Sequence, residues 1–485
     1  MFNYLLCVFV FFLPLNLLAD EWSDSHTLLP KGTQLSYLVI DPVNSKVLAE
    51  SAGQILRTPA SLQKLLTATA AKLHLGENFS YRTNIEGKLS RIKNNHYQGD
   101  IRLRFVGDPT LTRANLKEML KSLKALGVGK INGDLLINAA HFNGYQWSDG
   151  QAWNDLGVCY TAPSNAIIIN KNCVLGNLSL PGPEAKKARL FVPDYEPVEI
   201  SSDVDVVTPA QRDERFCALE VTRFNHNRYH LWGCMVPRER AFPLAFSIND
   251  PFTYARQLIE SELKKAGIKL HGKVLLEEVN QAAQPKSVLV SHQSPLLDEL
   301  LQVMLKDSDN LIADSLFKTL GASYFHQQGN FRNGGKAVKL ILQAHGIDLE
   351  NAYLADGSGL SRHNLISAEL LMSVLKYAYL NDDKLKLFAS FSIAGIDGTL
   401  RYHKGVAGPV LKGNIIAKTG SMKGVANLSG MVKSARGDRL FVLLINAYNL
   451  EEGKGTSAPG KQTKSPVVIF EQAFFTNIVN SAKAK

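Results

Sequence analysis

The chain has 485 residues, 45% of them hydrophobic and 20% charged, with a formal net charge of +10. That is enough apolar material for a substantial core and excludes a low-complexity or disordered chain, and the length sets a prior of roughly two to four domains. The basic excess suits an anionic surface or wall polymer, but no basic cluster carries interleaved aromatics, so nucleic acid is not expected as a partner.

In chain order, Tyr4 to Leu18 form an apolar run closed by Ala19 and followed by Asp20-Glu21-Trp22, the pattern of a secretory signal cut after Ala19 (residues 1–19). An uncleaved anchor is the alternative, although the run is short for a spanning helix, and no later segment is long and apolar enough to cross a bilayer. Loose membrane association therefore stays open, as does oligomerisation. Leu35 to Ile40 and Val47 to Ala49 read as a strand pair around Asp41-Pro42-Val43-Asn44-Ser45. A helix follows from Ser61 to Leu75, with Pro59 just before it and Gly76 just past it.

Between Lys64 and Ser308 lie 243 residues, more than a helical lobe needs, so an insertion is expected, with limits near Arg82 and Ala245. Inside it Ile101 to Val106, Asp134 to Asn138 and Leu219 to Leu231 read as strands, giving one or two β-rich subdomains. Cys7 leaves with the signal, and the four remaining cysteines, Cys159, Cys173, Cys217 and Cys234, all fall within these limits. An even count in an exported chain favours disulfides. Three pairings are open; Cys159 with Cys173 and Cys217 with Cys234 is preferred, because each pair brackets a short strand-turn-strand pattern, and closing such a loop stabilises by about 3 kcal/mol. The spacings do not suit zinc. His226 and His230 are four apart, but on a strand and turn and without the glutamate of H-E-x-x-H, so no metal is expected.

Helices are expected over Leu297 to Lys306 and from Asn310 to Leu320. Asn414 to Lys418, Ala426 to Val432 and Arg439 to Leu444 read as successive strands, the last two joined by a turn at Ala435-Arg436-Gly437-Asp438. A closing helix covers Val467 to Ile478. Strands at both ends with helices between imply one sheet assembled from opposite ends of the chain, an α+β fold with residues 20–81 and 246–485 as its main domain and 82–245 inserted.

Three short motifs occur in order: Ser61-Leu62-Gln63-Lys64, Ser308-Asp309-Asn310 and Lys418-Thr419-Gly420. S-x-x-K alone is weak, since it also occurs at Ser90, Ser261, Ser315 and Ser373. Ser90 lies in a basic loop, and the other three lie inside helical patterns where the hydroxyl is exposed or bonded to the preceding turn. Only Ser61 begins a helix, where its N–H and the helix dipole face developing negative charge, with Lys64 on the same helical face. A serine becomes a nucleophile when a base takes its proton, and Lys64 serves only if burial and a neighbouring cation, Lys418, lower its pKa. Ser308 then relays a proton to the leaving amine, while Asn310 holds Lys64 or the substrate amide. A second Ser-x-Asn, at Ser247-Ile248-Asn249, lacks the placement between two helices. Lys418 and Thr419 at a strand edge suit a terminal carboxylate, and Gly420 lets substrate approach the backbone.

With these motifs, Gly99 to Pro109, Asp356-Gly357-Ser358-Gly359-Leu360-Ser361-Arg362 and Gly395 to Leu400, the chain resembles the class C low-molecular-mass penicillin-binding proteins, the D-alanyl-D-alanine carboxypeptidase and endopeptidase group of the penicillin-binding protein 4 type. The resemblance runs through almost the whole mature chain. It implies a penicillin-binding/β-lactamase-like transpeptidase domain, an antiparallel sheet flanked by helices plus a helical lobe. It also implies a periplasmic serine peptidase without cofactor, acting on peptidoglycan stem peptides and crosslinks and acylated by β-lactams. Ser61 would form the acyl-enzyme, Lys64 accept its proton, Ser308 and Asn310 complete the relay, and Lys418 with Thr419 bind the substrate carboxylate. The backbone N–H groups of Ser61 and Ser421 would form the oxyanion hole. Asp155 and Arg362 would reach the diaminopimelate side chain, with Lys423 where a glutamine is usual. The rival readings are a β-lactamase, for which the class A E-x-x-L-N stretch is absent, and a catalytically silent peptidoglycan-binding protein.

Overall fold

The computed structural model describes residues 24–182, 184–278, 287–349, 351–434, 437–449 and 464–481; the expected signal segment and part of the Ala435–Asp438 turn lie outside them. Opposite ends of the chain meet in one six-stranded antiparallel sheet, in the order Ser392–Ile393, Ile415–Met422, Val425–Val432, Arg439–Asn446, Gln34–Ile40, Val47–Ser51. Gln34 pairs with Asn446 and Ile40 with Leu440, so the first strand of the chain lies against the last.

Arg439–Asn446 is buried along its whole length because both faces of the sheet are covered. Side chains alternate between faces. Leu440, Val442 and Leu444 join a core with the helices Gln63–His74, Asn310–Phe325 and Ala368–Leu380. Phe441, Leu443 and Ile445 face the other way, against Phe470, Phe474 and Phe475 of the closing helix Pro466–Ser481. The helices Leu297–Lys306 and Phe331–Gln343 join the same core, and Asn310–Phe325 is buried continuously from Leu311 to Ala322. The α+β architecture, the strand pairs and the closing helix agree with the sequence reading.

The inserted segment is β-rich and has its own core. Its five-stranded sheet runs Val274–Leu276, Leu135–Asn138, Ile101–Arg104, Arg82–Glu86, Val288–Gln293. Two of these strands, Val274–Leu276 and Val288–Gln293, follow Ala245 in the chain. Residue 245 itself lies within the strand Phe242–Ser247, which pairs with Cys173–Ser179. A smaller sheet joins Glu199–Val206, Arg228–Met235 and Leu219–Phe224, and its two last strands resolve the single strand expected from Leu219 to Leu231 into a hairpin turning at His226 and Asn227, both at positive φ. Both preferred disulfides are present, Cys159–Cys173 and Cys217–Cys234. His226 and His230 take separate partners, Asp250 and Ser201, and form no joint site.

Phe441 is fully buried on the central strand, its ring 4.8 Å from that of Phe475. Phe441→Ala is expected to cost about 3–5 kcal/mol, read as a lower urea midpoint at unchanged slope.

Candidate functional site

Ser61 sits in a short 3-10 turn, Ala60–Leu62, that runs straight into the helix Gln63–His74. Neither helical segment uses Ser61 as a side-chain cap, so the hydroxyl is free for another partner. That partner is Lys64, whose Nζ lies 2.9 Å from Ser61 Oγ. Lys64 Nζ also donates to Asn310 Oδ1 at 2.7 Å and to the Ser358 carbonyl at 2.6 Å. A neutral amine satisfies the last two with its two N–H bonds and leaves its lone pair for the serine proton.

Lys64 is fully buried, and burial brings its pKa down from 10.5 to about 8, against the opposing charges of Asp314, Asp356 and Asp309. Burial is therefore the main cause, where sequence reasoning gave equal weight to a neighbouring cation. Lys418 is 1% exposed, and its pKa falls well below the ordinary lysine value through burial first and the charge of Lys64 second. Lys418 Nζ donates to Ser308 Oγ at 2.9 Å and to the Thr419 carbonyl at 3.0 Å. Ser308 reaches this position from a left-handed backbone, φ 60°, between the two lobe helices. Such a conformation is costly for serine and persists only where the surroundings fix it. Asp309 of the same motif caps the helix that Asn310 begins, bonding Ile312 N at 3.0 Å, and pairs with Lys171 of the insertion at 2.6 Å.

The three motifs thus converge, and so do residues the sequence reading did not single out. Asn427 Nδ2 donates to the Thr58 and Pro59 carbonyls at 2.9 and 3.0 Å, and Asn446 Oδ1 accepts from Thr58 N, so the sheet clamps the turn that presents Ser61. Asp314 accepts from Gly357 N, Ser358 N and Ser358 Oγ, which aims the Ser358 carbonyl at Lys64; burial raises its pKa, with Asp356 adding to the effect. Asp356 takes the N–H groups of Gly359 and Ser361. Asp356 lies in the D-G-S-G-L-S-R stretch that helps carry the resemblance, whereas Asp314, Asn427 and Asn446 lie in none of the motifs. Thr419 Oγ1 bonds Thr399 Oγ1 at 2.9 Å, which brings in the Gly395–Leu400 stretch.

At Gly420 a Cβ would lie 2.5 Å from the Pro59 carbonyl, so the missing side chain makes room for the serine turn. Ser421 follows at the exposed end of the strand. Among the other S-x-x-K serines, Ser373 Oγ bonds Leu370 O as expected, but Ser315 is fully buried with no partner for its hydroxyl. It faces the packed interior of a helix buried on nearly every side.

Burial first and the nearby Asp155 carboxylate second raise the pKa of the Tyr160 hydroxyl, and the Tyr160 carbonyl accepts from Asn310 Nδ2 at 2.9 Å, so the Asp155 loop abuts the site. Arg362 is exposed and donates to the Lys423 carbonyl at 3.1 Å, next to the K-T-G strand. On the strand Ile415–Met422 only Ile416 and Ala417 pair with Ser392–Ile393, so among the described residues the edge from Lys418 onward has no strand partner on that side.

The family model for D-Ala-D-Ala carboxypeptidase 3 (S13) matches residues 21–467. The D-alanyl-D-alanine carboxypeptidase DacB of Haemophilus influenzae is 37% identical over 457 residues, 94% of this chain and 93% of that protein. A D-alanyl-D-alanine carboxypeptidase of Actinomadura is 27% identical over 86% of this chain and 79% of its own length. The crystal structure of penicillin binding protein 4 from H. influenzae superposes with a TM-score of 0.86 at 38% identity, covering 94% of this chain and 99% of that one. A structure of the same protein complexed with a β-lactam gives a TM-score of 0.82 at 36% identity, with the same coverage of both chains.

Gly359 has φ 85°, and a Cβ on it would lie 1.9 Å from the Ala60 carbonyl. Gly359→Ala is expected to displace the turn carrying Ser61, seen as a lower melting temperature together with a loss of reactivity toward a fluorescent penicillin of at least about tenfold, each 1.4 kcal/mol of misplacement being a factor of ten.

Proposed function

We propose a mechanism for a chain whose family is established: it belongs to the D-Ala-D-Ala carboxypeptidase 3 (S13) family and is a D-Ala-D-Ala carboxypeptidase of penicillin-binding type. Ser61 is the nucleophile and Lys64 its base. The observation that carries this is Lys64 Nζ, buried and 2.9 Å from Ser61 Oγ with its other two contacts on acceptors. Substrate lies as an added strand along the unpaired edge from Lys418, its terminal carboxylate at Lys418 and Thr419. Ser61 Oγ attacks the carbonyl of the penultimate D-alanine while its proton passes to Lys64. The oxyanion is held by the N–H groups of Ser61 and Ser421. The C–N bond then breaks, the terminal D-alanine leaves with a proton delivered through Ser308, and water hydrolyses the acyl-serine with Lys64 again as base.

Beyond that activity, we read the substrate as peptidoglycan stem peptides, with Asp155 and Arg362 toward the diaminopimelate side chain and D-Ala-diaminopimelate crosslinks as a second target. The insertion is taken to run from Arg82 to Gln293, following its sheet. Two disulfides fit a periplasmic location, and no helix among the described residues is long and apolar enough to cross a membrane.

Ser61→Ala is expected to lose both terminal D-alanine release from a pentapeptide muropeptide and the covalent penicilloyl adduct in intact-mass spectra. An adduct of full stoichiometry on that variant would overturn the assignment. Because Lys64 acts only when neutral and its pKa is about 8, kcat/KM should rise with pH up to about 8 and level off above it, the proton lost as pH rises being the one that blocks the base.

A further inference from the structure

Beside the catalytic pocket, the insertion carries a second groove, of about 730 Å³, between the 3-10 turn Trp153–Asp155 and the hairpin strand Leu219–Phe224. Trp153 is 79% exposed, although a large indole ordinarily finds cover. It is not loosely held. The Arg223 guanidinium sits 5.0 Å from the Trp153 ring and 6.0 Å from that of Trp147, and donates to the Leu156 carbonyl and to Asn249 Oδ1, both at 3.4 Å. Trp147 is fixed in turn by its indole N–H, which donates to the Thr161 carbonyl at 2.8 Å. Gly157 lets the two walls close up, since a Cβ there would lie 2.7 Å from Val221 Cγ1.

The lining adds the neutral amides of Asn154, Asn225 and Asn249 to apolar and hydroxyl side chains, and the carboxylates of Glu220 and Asp250 offset the charge of Arg223. A phosphate-rich polymer would be repelled by those carboxylates. A rigid aromatic face beside side-chain amides instead matches a ring with C–H bonds on one face and hydroxyl and acetamido groups at its rim. The turn that walls the groove is tied to the active site: Thr161 Oγ1 bonds the Asp155 carbonyl at 2.7 Å, and the neighbouring Tyr160 carbonyl holds Asn310. A stem peptide of four residues spans about 14 Å when extended, enough to leave the Ser61 pocket and reach an adjoining groove.

We propose that this groove is a glycan subsite, holding an N-acetylated amino sugar of the peptidoglycan strand while the attached stem peptide occupies the Ser61 pocket. The inference rests on the peptidoglycan reading given above. It makes the glycan-linked peptide the preferred substrate over the free peptide, with the advantage in KM rather than kcat.

Two measurements on the full chain test it. The first compares steady-state hydrolysis of a disaccharide-pentapeptide with that of the sugar-free pentapeptide, for the parent, Trp153→Ala and Asn225→Ala. The parent should show a KM about 3–10-fold lower for the sugar-bearing substrate, the size of one aromatic stacking contact, and each variant should lose most of that difference. Unchanged acylation by benzylpenicillin certifies the fold of each variant. The second titrates a peptide-free chitooligosaccharide against the parent and follows tryptophan fluorescence, expected to saturate in the parent and not in Trp153→Ala. Equal KM values for the two substrates in the parent, or sugar binding unaffected by Trp153→Ala, would overturn the subsite. Sugar binding lost with Trp153→Ala in a protein that cleaves neither peptide would support the subsite and defeat the proposed peptidase mechanism instead.

Discussion

A lysine amine enclosed away from solvent is the constraint on which this structure is built. Lys64 is wholly enclosed, and an enclosed cation loses the hydration that normally keeps its proton in place. The surrounding atoms compensate with acceptors, Asn310 Oδ1 and the Ser358 carbonyl, and three carboxylates stand close enough to oppose the fall in pKa. The outcome is an amine poised between its two states near neutral pH. Ser61, only part-buried, is the outlet through which that balance meets solvent and substrate.

Holding that balance requires contributions from the whole chain. The Ser61 turn is clamped by Asn427 and Asn446 from the C-terminal strands, and Gly359 and Gly420 leave just enough room for it. The Ser358 carbonyl is aimed by Asp314 from the lobe helix, and Gln63 and Thr67 bind back to the Asp356 and Gly357 carbonyls. The insertion is fastened to the same helix at three points. Lys171 pairs with Asp309, Tyr160 meets Asn310, and the buried Lys318 donates to the Tyr145 and Ser164 carbonyls while its ammonium lies 4.1 Å from the Phe331 ring centroid. A domain tied so closely to the base-positioning helix shapes the pocket as well as covering it.

Much of this was legible in sequence because local rules specify it. Alternating apolar faces in Arg439–Asn446, the Pro59 and Gly76 punctuation of the first helix and the ordered motifs each depend on neighbours in the chain. What stayed hidden depends on distant partners. Val288–Gln293 pairs with Arg82–Glu86 across some two hundred residues, a pairing that no periodicity records. The packing of Gly420 against the Pro59 carbonyl was hidden because the two are far apart in sequence. Ser315 was read as exposed or back-bonded because nothing local tells that its helix is enclosed on nearly every side. Asp314 and Asp356 gave no signal of their own, since a buried carboxylate that positions a loop looks the same in sequence as a solvated one.

The most direct test of the central claim is an NMR titration of the Lys64 ε-carbon in the full chain, with 13C-labelled lysine and the resonance assigned through Lys64→Arg. Titration near pH 8 is the predicted result. A midpoint at the ordinary lysine value of 10.5 would contradict it and remove the base from the active site.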